Sequence, residues 1–270
     1  MVTVEILAIG NELLIGDVLD TNTHWIIKQI VGLGGKINRS VILGDNLDAI
    51  ATEIQSALQR KTEVIFTIGG MGPTVDDMTI EAIARAINQP LKADAQAIAF
   101  VKDKYQEFAK KGYVDDPRMT PAREKMGLLP MGSIPIYNPV GAAPAVISKV
   151  KESTIVSLPG VPRELKGIFE ESLLPILDEK FGQKCFLEKV AIVDSKDESI
   201  IAPILNNVSL KNPKVYIKSR SKNFAIDAKI KVTISYCGSF KEEVGRVINQ
   251  AIQDLREELG NAGILLDQIE

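Results

Sequence analysis

Apolar residues in the first part of the chain come in short β-type runs, each followed by a stretch of helical spacing. Val4-Glu5-Ile6-Leu7-Ala8-Ile9, Lys36 to Leu43 and Val64-Ile65-Phe66-Thr67-Ile68 read as strands. The intervening segments place Ile26, Ile27, Ile30 and Val31, then Leu47, Ile50, Ala51, Ile54, Ala57 and Leu58, then Ile80, Ile83, Ala84 and Ile87 on single helical faces. Thr21 or Asn22 is placed to cap the first of these helices, and Pro90 stops the third. Strands alternating with helices predict a mostly parallel sheet with helices on both faces, a three-layer α/β fold. In such a sheet the ligand lies beyond the carboxyl ends of the strands, so the turns at 10–17, 44–46 and 69–77 are expected to converge on one crevice.

Further along, Ala93 to Lys111 reads as a long helix and Pro117 to Met126 as a short basic segment, either a partial lid or a subunit contact. Ser133 to Tyr137 and Thr154 to Leu158 read as strands ending in Asn138-Pro139-Val140-Gly141-Ala142-Ala143-Pro144 and in Pro159-Gly160-Val161-Pro162-Arg163-Glu164. Beyond Phe181-Gly182 the pattern changes. A strand over 185–193, a helix over 195–206, a strand starting at Val215, a strictly alternating strand over 226–236 and a last helix predict a second, smaller α+β domain. Ser239 with Glu242 reads as a capping box for that last helix, whose inward face is to carry Phe240, Val244, Val247, Ile248, Ala251, Ile252, Leu255 and Leu259 before Gly260 ends it. The expected division is residues 1–170 for the ligand-binding domain and 183–262 for the small one.

Composition narrows the classes. A net charge of -3 argues against a general nucleic-acid binder. Two cysteines far apart in sequence, Cys185 and Cys237, form no disulfide framework or zinc motif and fit a reducing compartment. No apolar run approaches the roughly 20 residues needed to cross a bilayer, and no signal peptide is recognisable, so a cytoplasmic location is expected.

The chemistry concentrates in Gly69-Gly70-Met71-Gly72-Pro73-Thr74-Val75-Asp76-Asp77, directly after the third strand. A strand that ends in glycines and turns into a helix presents backbone N–H groups to an anion, which suits a phosphate. Asp76 and Asp77 would repel a bare phosphate, so they read as partners of a divalent cation bridging to it. The plainer alternative is a tight turn followed by a helix cap. With one histidine, His24, beside Trp25 on a polar face, nucleophile–histidine catalysis is excluded. No Gly-Lys-Ser/Thr follows the glycines, which excludes a P-loop.

Taken together, the 69–77 turn, Ile9-Gly10-Asn11-Glu12-Leu13-Leu14 with Gly16-Asp17, the 138–144 turn and Leu158-Pro159-Gly160-Val161-Pro162 resemble the N-terminal region of the CinA (competence/damage-inducible) proteins. That region has the molybdopterin-binding MoaB/MogA-like fold, and the following small domain looks like the KH-like domain of the same family. Met71 stands where the family usually has Leu, and Ala145 where it has Gly, which removes a flexible point near the expected ligand. The chain stops at Glu270, where the nicotinamide-mononucleotide deamidase domain of longer members has not begun, so that activity is not expected.

The resemblance implies metal-dependent hydrolysis of the ADP-ribose pyrophosphate to AMP and ribose 5-phosphate; the alternative is a non-catalytic pterin- or nucleotide-binding protein. It implies Asp77, Asp76 and Glu12 as catalytic groups and Asp17, Asp45, Asp76 and Asp77 as ligands of Mg, Mn or Co. The expected substrate contacts are Gly10, Asn11, Gly16, Gly69, Gly70, Gly72, Pro73 and Thr74, with Asn138, Gly141, Pro159 and Gly160 on the opposite wall. The partner is then a small-molecule nucleotide or pterin, the protein a homo-oligomer (dimer or trimer), and no membrane is involved. Lys211, Lys214, Lys218, Arg220, Lys222, Lys229 and Lys231 form a basic stretch in the small domain. The Gly-x-x-Gly loop of nucleotide-clamping KH domains is missing and aromatics are scarce, Tyr216 and Phe224 at most, so nucleic acid is not expected.

Overall fold

The computed structural model describes residues 1–182, 184–221 and 229–270. The chain divides into two compact units, the first of residues 1–31 and 35–182, the second of 32–34 and the described residues from 184 onward.

In the first unit, β1 (Thr3–Ile9) lies between β2 (Lys36–Leu43) and β3 (Val64–Ile68), and β8 (Ser153–Leu158) lies beside β3, all four parallel. β7 (Ala145–Val150) runs antiparallel to β8, and β6 (Ile134–Ile136) pairs antiparallel with β7 at the edge. The sheet is therefore mostly parallel, as the alternation predicts. Strand β7 escaped the pattern because Ala145, Val146, Ile147 and Ser148 are all buried and show no period of two. A short antiparallel pair, β4 (Leu91–Ala93) with β5 (Leu128–Pro130), is also additional to the expected elements.

Helices cover the sheet. α3 (Leu47–Gln59) and α4 (Thr79–Ala86) pack Ile50, Ile54, Ala82 and Ile83 against Leu7, Ile65 and Ile155. α2 (Thr21–Gly32) buries Ile26 and Ile30, and α7 (Pro162–Ile168) buries Leu165 and Ile168. Phe169, in the π-helical turn that joins α7 to α8 (Leu174–Phe181), meets Trp25 edge-on at 5.2 Å. Fully burying an Ile or Leu contributes about 1.5–3 kcal/mol, so this sheet is a rigid platform for the turns at its ends. The cap of α2 differs from expectation: Asp20 Oδ1 accepts from the Thr23 N–H at 2.9 Å, and the helix starts at Thr21, so Thr21 and Asn22 lie inside it.

The chain leaves β1 toward β2 and later returns to place β3 on the other side of β1. This reversal of strand order opens a crevice at the carboxyl ends of β1 and β3, which Gly10 and Gly69 follow directly. Two more helices, α5 (Ala95–Lys110) and α6 (Pro121–Lys125), are the long and the short basic segments; α1 (Asn11–Leu14) is a single turn.

The second unit is an antiparallel sheet in the order β10 (Tyr216–Ser221), β11 (Ile230–Gly238), β9 (Cys185–Val193), β12 (Leu266–Ile269). α9 (Glu198–Lys211) and α10 (Lys241–Asn261) bury Ile201, Val208, Ile248 and Leu255 against Val193, Val232 and Ile234. Ile226, Asp227 and Ala228 of the expected alternating strand, with Lys222 and Phe224, lie outside the described residues. Three expectations fail here. The capping box does not form, because α10 begins at Lys241 with Phe240 as its cap residue and no side-chain cap bond. Phe240 is 70% exposed rather than inward. Gly260 lies within the helix, and the left-handed residue after it is Gly263. Cys185 and Cys237 are both free and half-buried. Cys185 pairs with Gly238 and Cys237 with Phe186, which puts the two thiols on opposite faces of adjacent strands. Burial raises the Cys237 thiol above its ordinary value. Among the described residues no helix is long and apolar enough to cross a membrane.

Candidate functional site

A cleft of about 680 Å³ opens at the strand ends of the first unit. Gly10, Glu12, Asp45, Gly69, Gly70, Gly72, Pro73, Asp76, Asp77, Gly141, Pro159 and Gly160 line it, so the turns after β1, β2, β3 and β8 do converge. Asn11, Gly16, Asp17, Thr74 and Asn138 are not on its surface, although Asn11, Thr74 and Asn138 bond to residues that are. Tyr105, Phe108, Met126 and Glu164, which sequence reasoning did not select, also line the cleft.

The glycines act in two ways. Gly69 and Gly70 have φ of 103° and 64°, and a Cβ on Gly69 would sit 2.2 Å from the Ile9 carbonyl oxygen. No other residue type fits that close crossing of the β1 and β3 ends. The Gly69 N–H donates to the Leu158 carbonyl at 2.9 Å and the Gly10 N–H to the Leu43 carbonyl at 3.0 Å. These two donors therefore hold the fold and do not face a ligand. Among the described residues, the N–H groups of Gly70, Met71 and Gly72 have no protein acceptor, which leaves them as the donors of this turn.

The carboxylates are arranged differently from expectation. The Thr74 N–H donates to Asp77 Oδ2 at 2.9 Å, and the Thr74 hydroxyl reaches both Asp77 Oδ2, at 2.6 Å, and Asp76 Oδ1. Its single proton serves one carboxylate at a time. Together with a backbone bond and the charge of Lys125, that hydroxyl holds the Asp76 carboxyl below the usual range. Lys125, on α6, donates to the Thr74 carbonyl, which seats α6 on the turn. Asp45 Oδ2 accepts from the Asn11 N–H at 2.8 Å, and Asn11 Oδ1 accepts in return from the Asp45 N–H at 3.2 Å. Asp17 is exposed and outside the cleft lining, its N–H bonded to the Glu12 carbonyl at 3.0 Å. Among the described residues no three Asp, Glu, His or Cys side chains gather closely enough to hold a metal ion. The expected four-carboxylate set is thus not brought together. The reason is local: the single turn of α1 carries Asp17 away, while Asp45 binds that turn's first N–H.

The opposite wall is built from buried polar groups. Asn138, 2% exposed, donates to the Ala143 carbonyl at 2.8 Å and to Glu164 Oε2 at 2.7 Å. Its Oδ1 accepts from the Val140 and Gly141 N–H groups at 3.0 and 2.8 Å. Burial raises the Glu164 carboxyl above its ordinary value, against the lowering influence of Asn138 and of the Lys104 charge. Lys104, 3% exposed, donates to the Pro139 carbonyl at 2.8 Å and to Glu107 Oε2 at 2.9 Å. Lysines 104 and 111 together hold the Glu107 carboxyl at about 2. Glu164 was visible only as a polar residue two after Gly160-Val161-Pro162; its role depends on contacts with residues 23 or more positions away.

A mostly parallel sheet with a switch-point cleft and a left-handed glycine turn defines the class of open α/β fold in which ligands lie beyond the strand ends. The family is also shown by comparison: residues 5–179 match the family described as "Probable molybdopterin binding domain", and the chain belongs to it. A protein of Pyrobaculum arsenaticum is 36% identical over 254 residues, 94% of this chain and 93% of that one. Protein PH0439 of Pyrococcus horikoshii is 39% identical over 225 residues, 83% of this chain and 86% of its own length. Among solved structures, the CinA protein of Thermoplasma acidophilum, described as of unknown function, is 33% identical with a TM-score of 0.57. It covers 66% of this chain and 98% of its own. The first unit is therefore of the CinA N-terminal type, as its motifs imply.

Proposed function

We propose that the cleft binds a phosphate-bearing pterin or nucleotide, with the phosphate on the Gly70–Gly72 N–H groups. The observation that carries this reading is that those three donors, unused by the fold, belong to residues lining a cleft that aromatic and polar side chains also line. Family membership supports the pterin as a ligand class. Calorimetric titration with AMP and ADP-ribose tests it. Saturable binding that inorganic phosphate weakens is expected; the absence of binding by either, from folded protein, would discard it.

A second reading, metal-dependent hydrolysis of the ADP-ribose pyrophosphate, is favoured by the adjacency of Asp76 and Asp77 to those donors. Two carboxylates fit Mg or Mn only if phosphate oxygens and waters complete the shell, which is how Mg is commonly held. A cation so bound would neutralise phosphoryl charge; the chain's own part is to orient the pyrophosphate on its N–H groups. AMP release with magnesium, manganese or cobalt, lost in Asp77→Ala, is the outcome that supports hydrolysis. We also expect a homo-oligomer, dimer or trimer, readable by sedimentation.

A further inference from the structure

The wall opposite the glycine turn is more constrained than a merely structural corner requires. Asn138 uses both N–H groups and both acceptor positions within the fold, so its orientation is fixed by backbone partners on three residues. It delivers one N–H to Glu164 Oε2 and thereby sets that carboxylate in the cleft wall. Gly141 makes room for it, since a Cβ there would lie 2.0 Å from the same oxygen. The nearby ammonium, Lys104, is engaged by the Pro139 carbonyl and Glu107. Among the described residues, Asn138 is the hydrogen-bond donor found on Glu164, and Oε1 has none. A half-buried carboxylate with an open acceptor, in a cleft that Tyr105 and Phe108 also line, calls for a ligand that brings donors on a flat ring.

We propose that Glu164, positioned by Asn138, determines ligand specificity by accepting two hydrogen bonds from the adjacent ring N–H and amino group of a 2-amino-oxo heterocycle. Guanine and pterin share this edge. Adenine presents one donor and one acceptor there, and its ring nitrogen meets the carboxylate with lone pairs opposed. Asn138 is a positioning residue that sets the carboxylate angle. Glu164 is half-buried and burial raises its proton affinity, so a partner that brings N–H donors also relieves the desolvated charge. The inference rests on the reading of the cleft as a phosphate-and-ring site and requires no hydrolysis.

The test titrates wild type and Glu164→Gln with GMP, inosine 5′-monophosphate and AMP. Glutamine keeps the shape and the Asn138 contact but offers one donor and one acceptor. Wild type is expected to bind GMP about tenfold more tightly than either other nucleotide, the discrimination that follows when a buried hydrogen-bonding group is left unmatched. In Glu164→Gln the preference is expected to vanish or turn toward AMP, while AMP affinity in the variant does not fall. Equal binding of GMP and AMP by wild type would overturn the inference and leave the cleft reading standing. No binding of any nucleotide would overturn both. The inosine arm uses wild type alone, so it decides the matter even if the variant does not fold: inosine binding as tight as GMP removes the amino contact.

Discussion

The two walls of the cleft are made of different material. The Gly69–Asp77 side is exposed at Thr74, Val75 and Asp76, and its carboxylates bond only to Thr74, while the Thr79 hydroxyl on the Gly69 carbonyl and Lys125 on the Thr74 carbonyl tie its backbone to the helices on either side. The Asn138–Glu164 side has Asn138 and Lys104 buried, and besides the local bonds of Asn138 it includes two that join residues 35 and 26 positions apart, Lys104 to Pro139 and Asn138 to Glu164. One wall is a ready-made turn that any sequence reader notices. The other exists only once the fold has closed. The difference teaches that the conspicuous motif offers adaptable ligand contacts, while the inconspicuous one carries the rigidity.

The largest effect that would break this comparison is on stability. Asn138→Ala leaves the Val140 and Gly141 N–H groups, the Ala143 carbonyl and Glu164 without their partner in a buried site. Unsatisfied buried groups cost about 1–3 kcal/mol each, reduced by whatever water enters, so a loss of about 3 kcal/mol is expected in urea unfolding. A loss under 1 kcal/mol would mean that this wall is not rigid.

A buried network elsewhere in the first unit sharpens the contrast through pH. Glu5, 2% exposed, accepts from Arg60 at 3.0 and 2.6 Å and from the Thr62 hydroxyl at 2.5 Å. Burial alone would raise this carboxyl; the Arg60 and Thr62 bonds outweigh it and hold the group below its ordinary 4.5. Because the folded value is the lower one, the stabilisation is present above pH 4.5 and is lost as pH falls through the folded value. Arg60→Ala strands the carboxylate and is expected to cost about 3 kcal/mol at pH 7, less as the pH drops below 4.5 and the group protonates. Denaturant midpoints across pH 3–7 read both, and a cost that grows on acidification would refute the assignment.

Much of the architecture is legible in the chain because its strands are contiguous apolar runs and its helices keep one face. β2, β3 and β9 fall at the residues where the pattern predicts them. Strand β7 is hidden by full burial, and the start of α10 is misread because Ser239-x-x-Glu242 matches a cap pattern that Phe240 displaces. At the site, the glycine turns are readable since positive φ demands glycine. That Gly10 and Gly69 donate to Leu43 and Leu158 is set by strand neighbours and cannot be read locally. The same holds for Glu164, whose partner Asn138 arrives from another turn.

The smallest stability effect belongs to the conspicuous wall. Asp77→Ala removes acceptance from the Thr74 N–H and hydroxyl, both at an exposed turn where water replaces the lost partner. An exposed bond of this kind contributes about 0.5–1 kcal/mol, so the unfolding midpoint is expected to move little. Ligand contacts behave in the opposite sense, because Asp77 lines the cleft beside the free N–H donors while the core does not depend on it. The variant therefore separates two descriptions of the turn. If circular dichroism shows a folded protein whose AMP or ADP-ribose binding, or metal-dependent AMP release, has changed, the carboxylate acts on the ligand. If the variant unfolds instead, Asp77 acts by holding the Thr74 turn, since the cap residue of α4 is Met78 with no side-chain bond, and the two walls are less different than their burial implies.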